Sequence, residues 1–245
     1  MNTNQKTALI TGASRGLGRT LVGFLAKRGY KLVLTARGEE ELERVADELR
    51  PHIEVIALAG DVTDAQHRMA LAEACGEGLE LLINNASDLG ETPLPELKDT
   101  DLARISELYQ TNVFAPLALI QATLPALERS NGLIVNLSSD AAVGGYEGWG
   151  GYGSSKAALD LISQTLANEL RSRGVSVAAV DPGDMRTDMH QAAFPGEDIS
   201  DRPLPELTLP FWAWLLGQNP TELSGQRFQA QADTWTLSAR ALASA

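Results

Sequence analysis

"TGASRGLG" (residues 11–18) follows the apolar run "KTALI" (6–10) and leads directly into the helical pattern "LGRTLVGFLAKRG" (17–29). Gly12, Gly16 and Gly18 therefore stand between a strand and a helix, with Ser14, Arg15 and Leu17 completing the loop. Glycine weakens both element types, so such a cluster marks either a plain tight turn or bare backbone that must approach something closely. At a helix start the second reading has a definite chemistry, because unpaired amides and the positive end of the helix dipole attract an anion such as a pyrophosphate. The spacing is G-x3-G-x-G; it is neither the G-x-G-x-x-G fingerprint nor a Walker loop, since no G-K-[ST] follows.

Working outward, short apolar runs alternate with longer helical patterns. Strands are predicted over 7–11, 31–36, 54–59, 79–84, 132–138, 175–180 and, more weakly, 227–230. Most are apolar on consecutive residues, as strands covered on both faces of a parallel sheet must be. Between them, "EEELERVADELR" (39–50) and residues 101–130 repeat apolar positions at three and four. The βαβα order predicts an α/β chain: a single-domain Rossmann fold, a doubly wound parallel sheet of about seven strands flanked by helices, with ligands at the carboxyl ends of the strands. No repeat or low-complexity linker divides the chain, so one domain is expected over 1–245.

Composition narrows the partners. The 245 residues are 44% hydrophobic and 21% charged, the balance of a folded globular chain. A net charge of −12 argues against nucleic acid or an anionic membrane surface as partner. Cys75 is the only cysteine, the start "MNTNQKTALITG" has no apolar signal segment, and no run is long enough for a membrane span, so a cytoplasmic protein is expected. His52, His67 and His190 show no ligand spacing with one another or with Cys75, so no metal site is expected.

The end of the second strand chooses between dinucleotides. An acid there grips a ribose 2′-hydroxyl, whereas a cation accepts a 2′-phosphate. This chain has Ala36 and Arg37, with Arg15 in the glycine loop, which favours NADP(H) over NAD(H). The competing reading is that both arginines are solvated and that Glu39 or Glu40 pairs with Arg37.

"GYGSSKAALDLISQTLANEL" (151–170) is a predicted helix that puts Tyr152 and Lys156 on one face. A phenol titrates near ~10, and a neighbouring ammonium is expected to lower that value and make Tyr152 a general acid or base. Ser139, at the end of the strand "GLIVNLSS", supplies a hydroxyl for a carbonyl oxygen; Ser138 is the adjacent alternative.

Taken together, "TGASRGLG", "DVT" (61–63), "NNAS" (84–87), "LSS" (137–139), "YGSSK" (152–156) and "DPGDMRTDM" (181–189) closely resemble the short-chain dehydrogenase/reductase family, in order from residue 6 to about 189. The resemblance implies a seven-stranded Rossmann sheet and an NAD(P)-dependent oxidoreductase. It implies that Tyr152 donates the proton, that Lys156 lowers its pKa and holds the nicotinamide ribose, that Ser139 orients the carbonyl, and that Asn112 holds a water linking Lys156 to solvent. It also implies that Asp61 and Val62 contact the adenine, that Asn85, Ala86 and Ser87 line the cofactor pocket, and that Pro182, Gly183, Met185 and Thr187 belong to the segment holding the carboxamide. Ser87 departs from the family's usual glycine, and either crowds the site or adds a hydroxyl. The ending "LSGQRFQAQADTW" (223–235) lacks the family's V-D-G-G, which bears on whether the expected homo-oligomer is a dimer or a tetramer.

For substrate, the expected contacts are Tyr146 and Trp149 before the tyrosine helix, His190 after "TDM", and Trp212. Residues 190–217 hold prolines and large aromatics, which fits either a variable substrate lid or buried packing of Phe211, Trp212 and Trp214. The resulting expectation is an NADPH-dependent carbonyl reductase, reversible as an alcohol dehydrogenase. A 3-oxoacyl-thioester reductase acting on acyl-carrier protein and a non-catalytic NADP-binding regulatory or scaffold protein are the alternatives.

Overall fold

All seven apolar runs become strands, and every pairing between them is parallel. A computed structural model of the chain describes residues 5 to 238, so the first four residues of the start read above lie outside it. The chain runs through β1 (Thr7–Thr11), α1 (Gly16–Ala26), β2 (Lys31–Ala36), α2 (Glu39–Leu49), β3 (Val55–Ala59), α3 (Ala65–Cys75), β4 (Leu81–Asn84) and α4 (Leu102–Tyr109). It continues through α5 (Ala115–Ser130), β5 (Leu133–Leu137), α6 (Gly150–Glu169), β6 (Ser176–Asp181), α7 (Asp188–Ala193), α8 (Leu209–Leu215), α9 (Pro220–Leu223) and β7 (Arg227–Gln229). The sheet order β3-β2-β1-β4-β5-β6-β7 reverses direction between β1 and β4, the switch point at which doubly wound sheets open a ligand crevice.

Burial on both faces explains the unbroken apolar strands. In β1, Ala8 and Ile10 pack into the layer under α1 and α2, while Leu9 packs into the opposite layer with Leu71, Leu119 and Leu127 of α3 and α5. Cys75 lies buried in that second layer, where desolvation pushes its thiol up to about 12. No helix among the described residues is long and apolar enough to cross a membrane.

The helical stretch over 101–130 carries a π-helical turn at Gln110–Phe114 between α4 and α5, which turns Asn112 inward to 1% exposure. One extra residue per turn is invisible to apolar periodicity, and such turns recur at functional sites. Trp212, expected at the substrate, is instead 1% exposed in the core, where α8 buries Phe211, Trp212 and Leu215 against the sheet. Phe211 meets Trp214, Phe228 and Trp235 at ring-centroid distances of 5.9, 6.1 and 5.6 Å. Burying that much aromatic area outweighs any gain from leaving it as a mobile cover. The 209–215 part of the stretch 190–217 is therefore buried packing, the second of the two readings offered for it.

Candidate active site

At the carboxyl end of β1, Gly12 and Gly16 adopt positive φ of +66° and +52°, where side chains are strained. A Cβ on Gly18 would run into the Gly12 carbonyl oxygen and Asn85 Nδ2, so α1 can pack this close only on glycine. Asn85 fastens the loop by donating from Nδ2 to the carbonyls of Thr11 (2.9 Å) and Gly12 (3.1 Å), and Thr11 Oγ1 accepts the backbone N–H of Asn85 and Ala86. Where α3 and α4 are capped by Asp64 and Asp101, α1 begins at Arg15 with no side-chain cap and no acid in its first turn. Its leading amides are left for an external anion. A cradle that side chains would fill, at an uncapped 11-residue helix, fits a dinucleotide pyrophosphate. Ser14 is half-buried in the loop and Leu17 packs into the core. Thr187 lies against the loop, its methyl 3.4 Å from where a Gly16 side chain would begin, which brings the 182–187 segment over it.

At the end of β2, Arg37 is exposed and, among the described residues, forms no ion pair, so Glu39 and Glu40 do not neutralise it. Arg15 reaches Asp188 at 3.5 Å, both well exposed. Burial opposes the ionisation of Asp61, but hydrogen bonds from the Thr63 N–H and hydroxyl, with the Arg37 charge, hold its carboxyl below the usual range. Val62 is buried beside it, its carbonyl accepting from Arg68.

β5 and α6 bring Ser139, Tyr152 and Lys156 together. Lys156 Nζ is 5.5 Å from the centre of the Tyr152 ring and donates to the Leu137 carbonyl at 2.7 Å; both side chains are buried. The Ser87 and Ser139 hydroxyls stand near enough to the Tyr152 phenol to favour its ionised form. Ser138 turns away to donate to Asp160 Oδ2 at 2.8 Å, which leaves Ser139 as the serine beside the phenol. Ser139 also caps the short turn that follows, accepting from the Ala141 N–H. Asn112 is tied down on all sides: Oδ1 accepts from Ser87 Oγ (3.1 Å) and the Asp88 N–H (2.8 Å), while Nδ2 donates to the Asp88 carbonyl and Ser155 Oγ. Its amide is thus committed to protein partners and connects Ser87 with the residue preceding Lys156. Ser87 adds a hydroxyl to the site, the second of its two expected effects.

The expected lowering of the Tyr152 pKa is not what the site produces by itself. Burial raises the phenol above its ordinary value; contacts with Ser87 and Ser139 oppose that, and Asp181 and Asp140 reinforce it. The same burial pulls Lys156 down to about 8, against the attraction of Asp160. A buried phenol kept neutral holds the proton that a donor needs, and a developing alkoxide is basic enough to take it.

Above these groups lies a cavity of about 350 Å³ at the carboxyl ends of β5 and β6. Tyr146, Trp149 and His190 line it as expected, and Phe194 joins them, but Trp212 does not. Trp149 packs edge-on to Tyr152 at 5.8 Å and tilted on Phe194 at 6.0 Å. Pro182, Gly183, Met185 and Thr187 form the facing wall.

Residues 6–198 match the family model described as short chain dehydrogenase. The chain belongs to that family. It is 32% identical over 237 residues to the uncharacterized oxidoreductase YciK of Escherichia coli, covering 93% of this chain and 92% of that protein. With mouse sepiapterin reductase it shares 37% identity over 201 residues, 76% of each chain. A short chain dehydrogenase from Shigella flexneri, solved complexed with NADP, superposes with a TM-score of 0.84 at 31% identity, covering 94% of this chain and 98% of that one. This short-chain dehydrogenase is accordingly an oxidoreductase acting on CH–OH or C=O groups.

Part of the dehydrogenase site escaped the sequence reading. Arg227 on β7 donates to Asp160 (2.9 Å), Asp181 (3.2 Å) and the Ser139 carbonyl (2.7 Å), tying α6, the end of β6 and the end of β5 into one bracket. Asp181 is nevertheless raised by burial, with the Gly183 N–H and Arg227 pulling the other way. The one sequence sign was an arginine entering the weakest strand; its partners lie 46 to 88 residues away.

Proposed function

We propose that the chain is an NADPH-dependent carbonyl reductase, reversible as an alcohol dehydrogenase, with Asn112, Ser139, Tyr152 and Lys156 as its working set. The observation that carries this reading is the Tyr152 phenol, buried at the wall of the cavity that Ser139 also lines, with Lys156 Nζ 5.5 Å from its ring. NADPH, when bound, supplies a hydride for the carbonyl carbon. Gly12, Ser14, Gly16, Leu17 and Gly18 hold its pyrophosphate on backbone amides, and Arg15 and Arg37 take the 2′-phosphate. Asp61 and Val62 border the adenine, and Asn85, Ala86, Ser87, Met185 and Thr187 border the rest. Ser139 Oγ then turns its hydrogen from Asp140 Oδ1 to the substrate oxygen, Tyr152 passes its proton to the alkoxide, and the Lys156 ammonium steadies the phenolate left behind. Asn112 fixes Ser87 against the phenol.

The preference for NADPH over NADH rests on an unpaired Arg37 and on the absence of a carboxylate at the end of β2. The thioester alternative draws support from 3-oxoacyl-[acyl-carrier-protein] reductases 33% and 34% identical to this chain, and the free-carbonyl reading is preferred because no lysine or arginine lines the cavity. The same reading carries a cytoplasmic enzyme acting on a small molecule as a homodimer or homotetramer; light scattering on the purified chain decides the last point.

The test is NADPH and NADH oxidation followed by absorbance across ketones, aldehydes and quinones. Turnover with NADPH that Tyr152→Phe abolishes without weakening NADPH binding supports the reading. Tyr152→Phe reducing as fast as the parent overturns it.

A further inference from the structure

The cavity has a chemical asymmetry that hydride transfer does not use. His190 is held by α7 with its side chain only 9% exposed, and its Nε2 is buried without a hydrogen-bond partner. Its other ring nitrogen faces the Asp184 carboxylate at 3.7 Å. For a neutral imidazole, the field of a carboxylate on the Nδ1 side favours the tautomer that carries its hydrogen there, which leaves Nε2 as an acceptor. The partner missing from Nε2 is therefore a donor, an N–H or O–H, and a buried acceptor left unpaired carries a penalty that a ligand relieves.

Charge narrows the donor further. Four carboxylates line the cavity: Asp140, Glu147, Asp181 and Asp184. Arg227 pairs with Asp181 at 3.2 Å and Arg202 reaches Asp184 at 3.7 Å, but Asp140 and Glu147 have no cation within ion-pair distance among the described residues. Asp140 accepts from Ser139 Oγ at 3.0 Å, which keeps its charge at the reacting end. The wall between is aromatic: Trp149 on Phe194, and Phe194 on the His190 ring at 4.9 Å. Faces of aromatic rings with uncompensated carboxylates behind them attract organic cations and repel anions.

We propose that the substrate is a carbonyl compound carrying an ammonium group, seated against Trp149 and Phe194, donating to His190 Nε2 and attracted by Asp140 and Glu147. This rests on the carbonyl-reductase reading and names the substrate class of that site.

Three matched ketones test it with NADPH near pH ~7: para-(aminomethyl)acetophenone, para-(hydroxymethyl)acetophenone and para-carboxyacetophenone. The expected kcat/KM falls by about tenfold at each step from ammonium to alcohol to carboxylate, and added salt of about 0.5 M shrinks the spread. Glu147→Gln and His190→Phe, which keeps a ring in place, each reduce the ammonium-to-alcohol ratio by about threefold or more. Binding of benzylammonium, benzyl alcohol and benzoate by calorimetry, with and without NADPH, gives the same order without turnover. Reduction of the alcohol or carboxylate ketone as fast as the ammonium ketone overturns the inference and leaves the reductase reading standing. Selective benzylammonium binding with no NADPH oxidation on any ketone supports the pocket assignment and overturns the reductase reading. Absence of any ammonium preference in either measurement overturns the inference.

Discussion

Trp149 and Trp212 each belong to a cluster of rings. Trp149 meets Tyr152 and Phe194 at 5.8 and 6.0 Å, and Trp212 meets Phe211 at 5.7 Å, Phe211 in turn meeting Trp214, Phe228 and Trp235. The residue types and spacings are alike, yet one cluster walls a cavity above the carboxyl ends of β5 and β6 and the other is sealed under α8. Position relative to the strand ends, rather than aromatic content, separates them: a parallel sheet leaves its crevice at those ends and packs elsewhere. The contrast implies that damage to the first cluster falls on turnover and damage to the second on stability.

The largest expected effect sharpens that division. Tyr152→Phe keeps the ring that stacks on Trp149 and removes only the proton, so kcat/KM falls by about a thousandfold, within the usual range for general acid catalysis. NADPH affinity and the unfolding midpoint stay near the parent's, as measured by fluorescence titration and urea denaturation. A comparable loss of stability in this variant breaks the division.

On the sealed side, Trp212→Ala removes a side chain 1% exposed and is expected to destabilise the chain by about 3 to 5 kcal/mol. Urea unfolding measures the loss, and kcat/KM per folded molecule stays close to the parent's. Because the Trp212 indole N–H has no hydrogen-bond partner, Trp212→Phe is milder, giving up volume but no polar contact. Reduced turnover in folded Trp212→Ala would return this residue to the substrate side.

The sequence made the sheet legible because burial on both faces writes itself as unbroken apolar runs, and it made the glycine turn and the proximity of Tyr152 to Lys156 legible because a tight turn and one face of a helix demand fixed spacings. Trp212 was misread for the converse reason: a Pro-rich aromatic segment has the same composition whether it packs or covers. Asn112 entered only through family resemblance, since the π-turn that buries it leaves the three-and-four periodicity of 101–130 undisturbed. The Arg227 bracket was invisible, because side chains that meet across β5, β6 and α6 share no local pattern.

Acidity separates the clusters next, since only the cavity side titrates. Burial holds Lys156 at about 8 instead of 10.5, so its ammonium is lost as pH rises through about 8. Reduction is therefore expected to decline above that pH, with kcat/KM falling toward about tenfold per pH unit, because the phenolate loses its counter-charge while the raised Tyr152 stays protonated. The stability contribution has the opposite sign. Between about 8 and 10.5 the unfolded chain holds more protons than the folded one, so burial of this lysine is penalised fully below pH 8 and progressively less as pH rises. A pH–rate profile and urea unfolding across that window check both signs against Lys156→Met, which loses each dependence.

Ser87 gives the smallest and most local effect. Where the family commonly has glycine, this chain places a hydroxyl near the Tyr152 phenol, its one hydrogen donated to Asn112 Oδ1 at 3.1 Å and able to swing to a phenolate when one forms. Of the groups acting on the phenol, Ser87 is the strongest opposing its rise, ahead of Ser139. Ser87→Ala removes that hydrogen bond while leaving the Asp88 N–H on Asn112, so Asn112 stays in place. Stabilisation of a phenolate by one neutral hydroxyl is worth about 1 kcal/mol, so a kcat reduction of about fivefold is expected with KM for NADPH unchanged. A structural role alone predicts equal losses in both directions of the reaction at every pH. A role on the phenol predicts an alcohol-oxidation limb moved to higher pH, because there Tyr152 must first give up its proton, and that displacement is the measurement that separates the two.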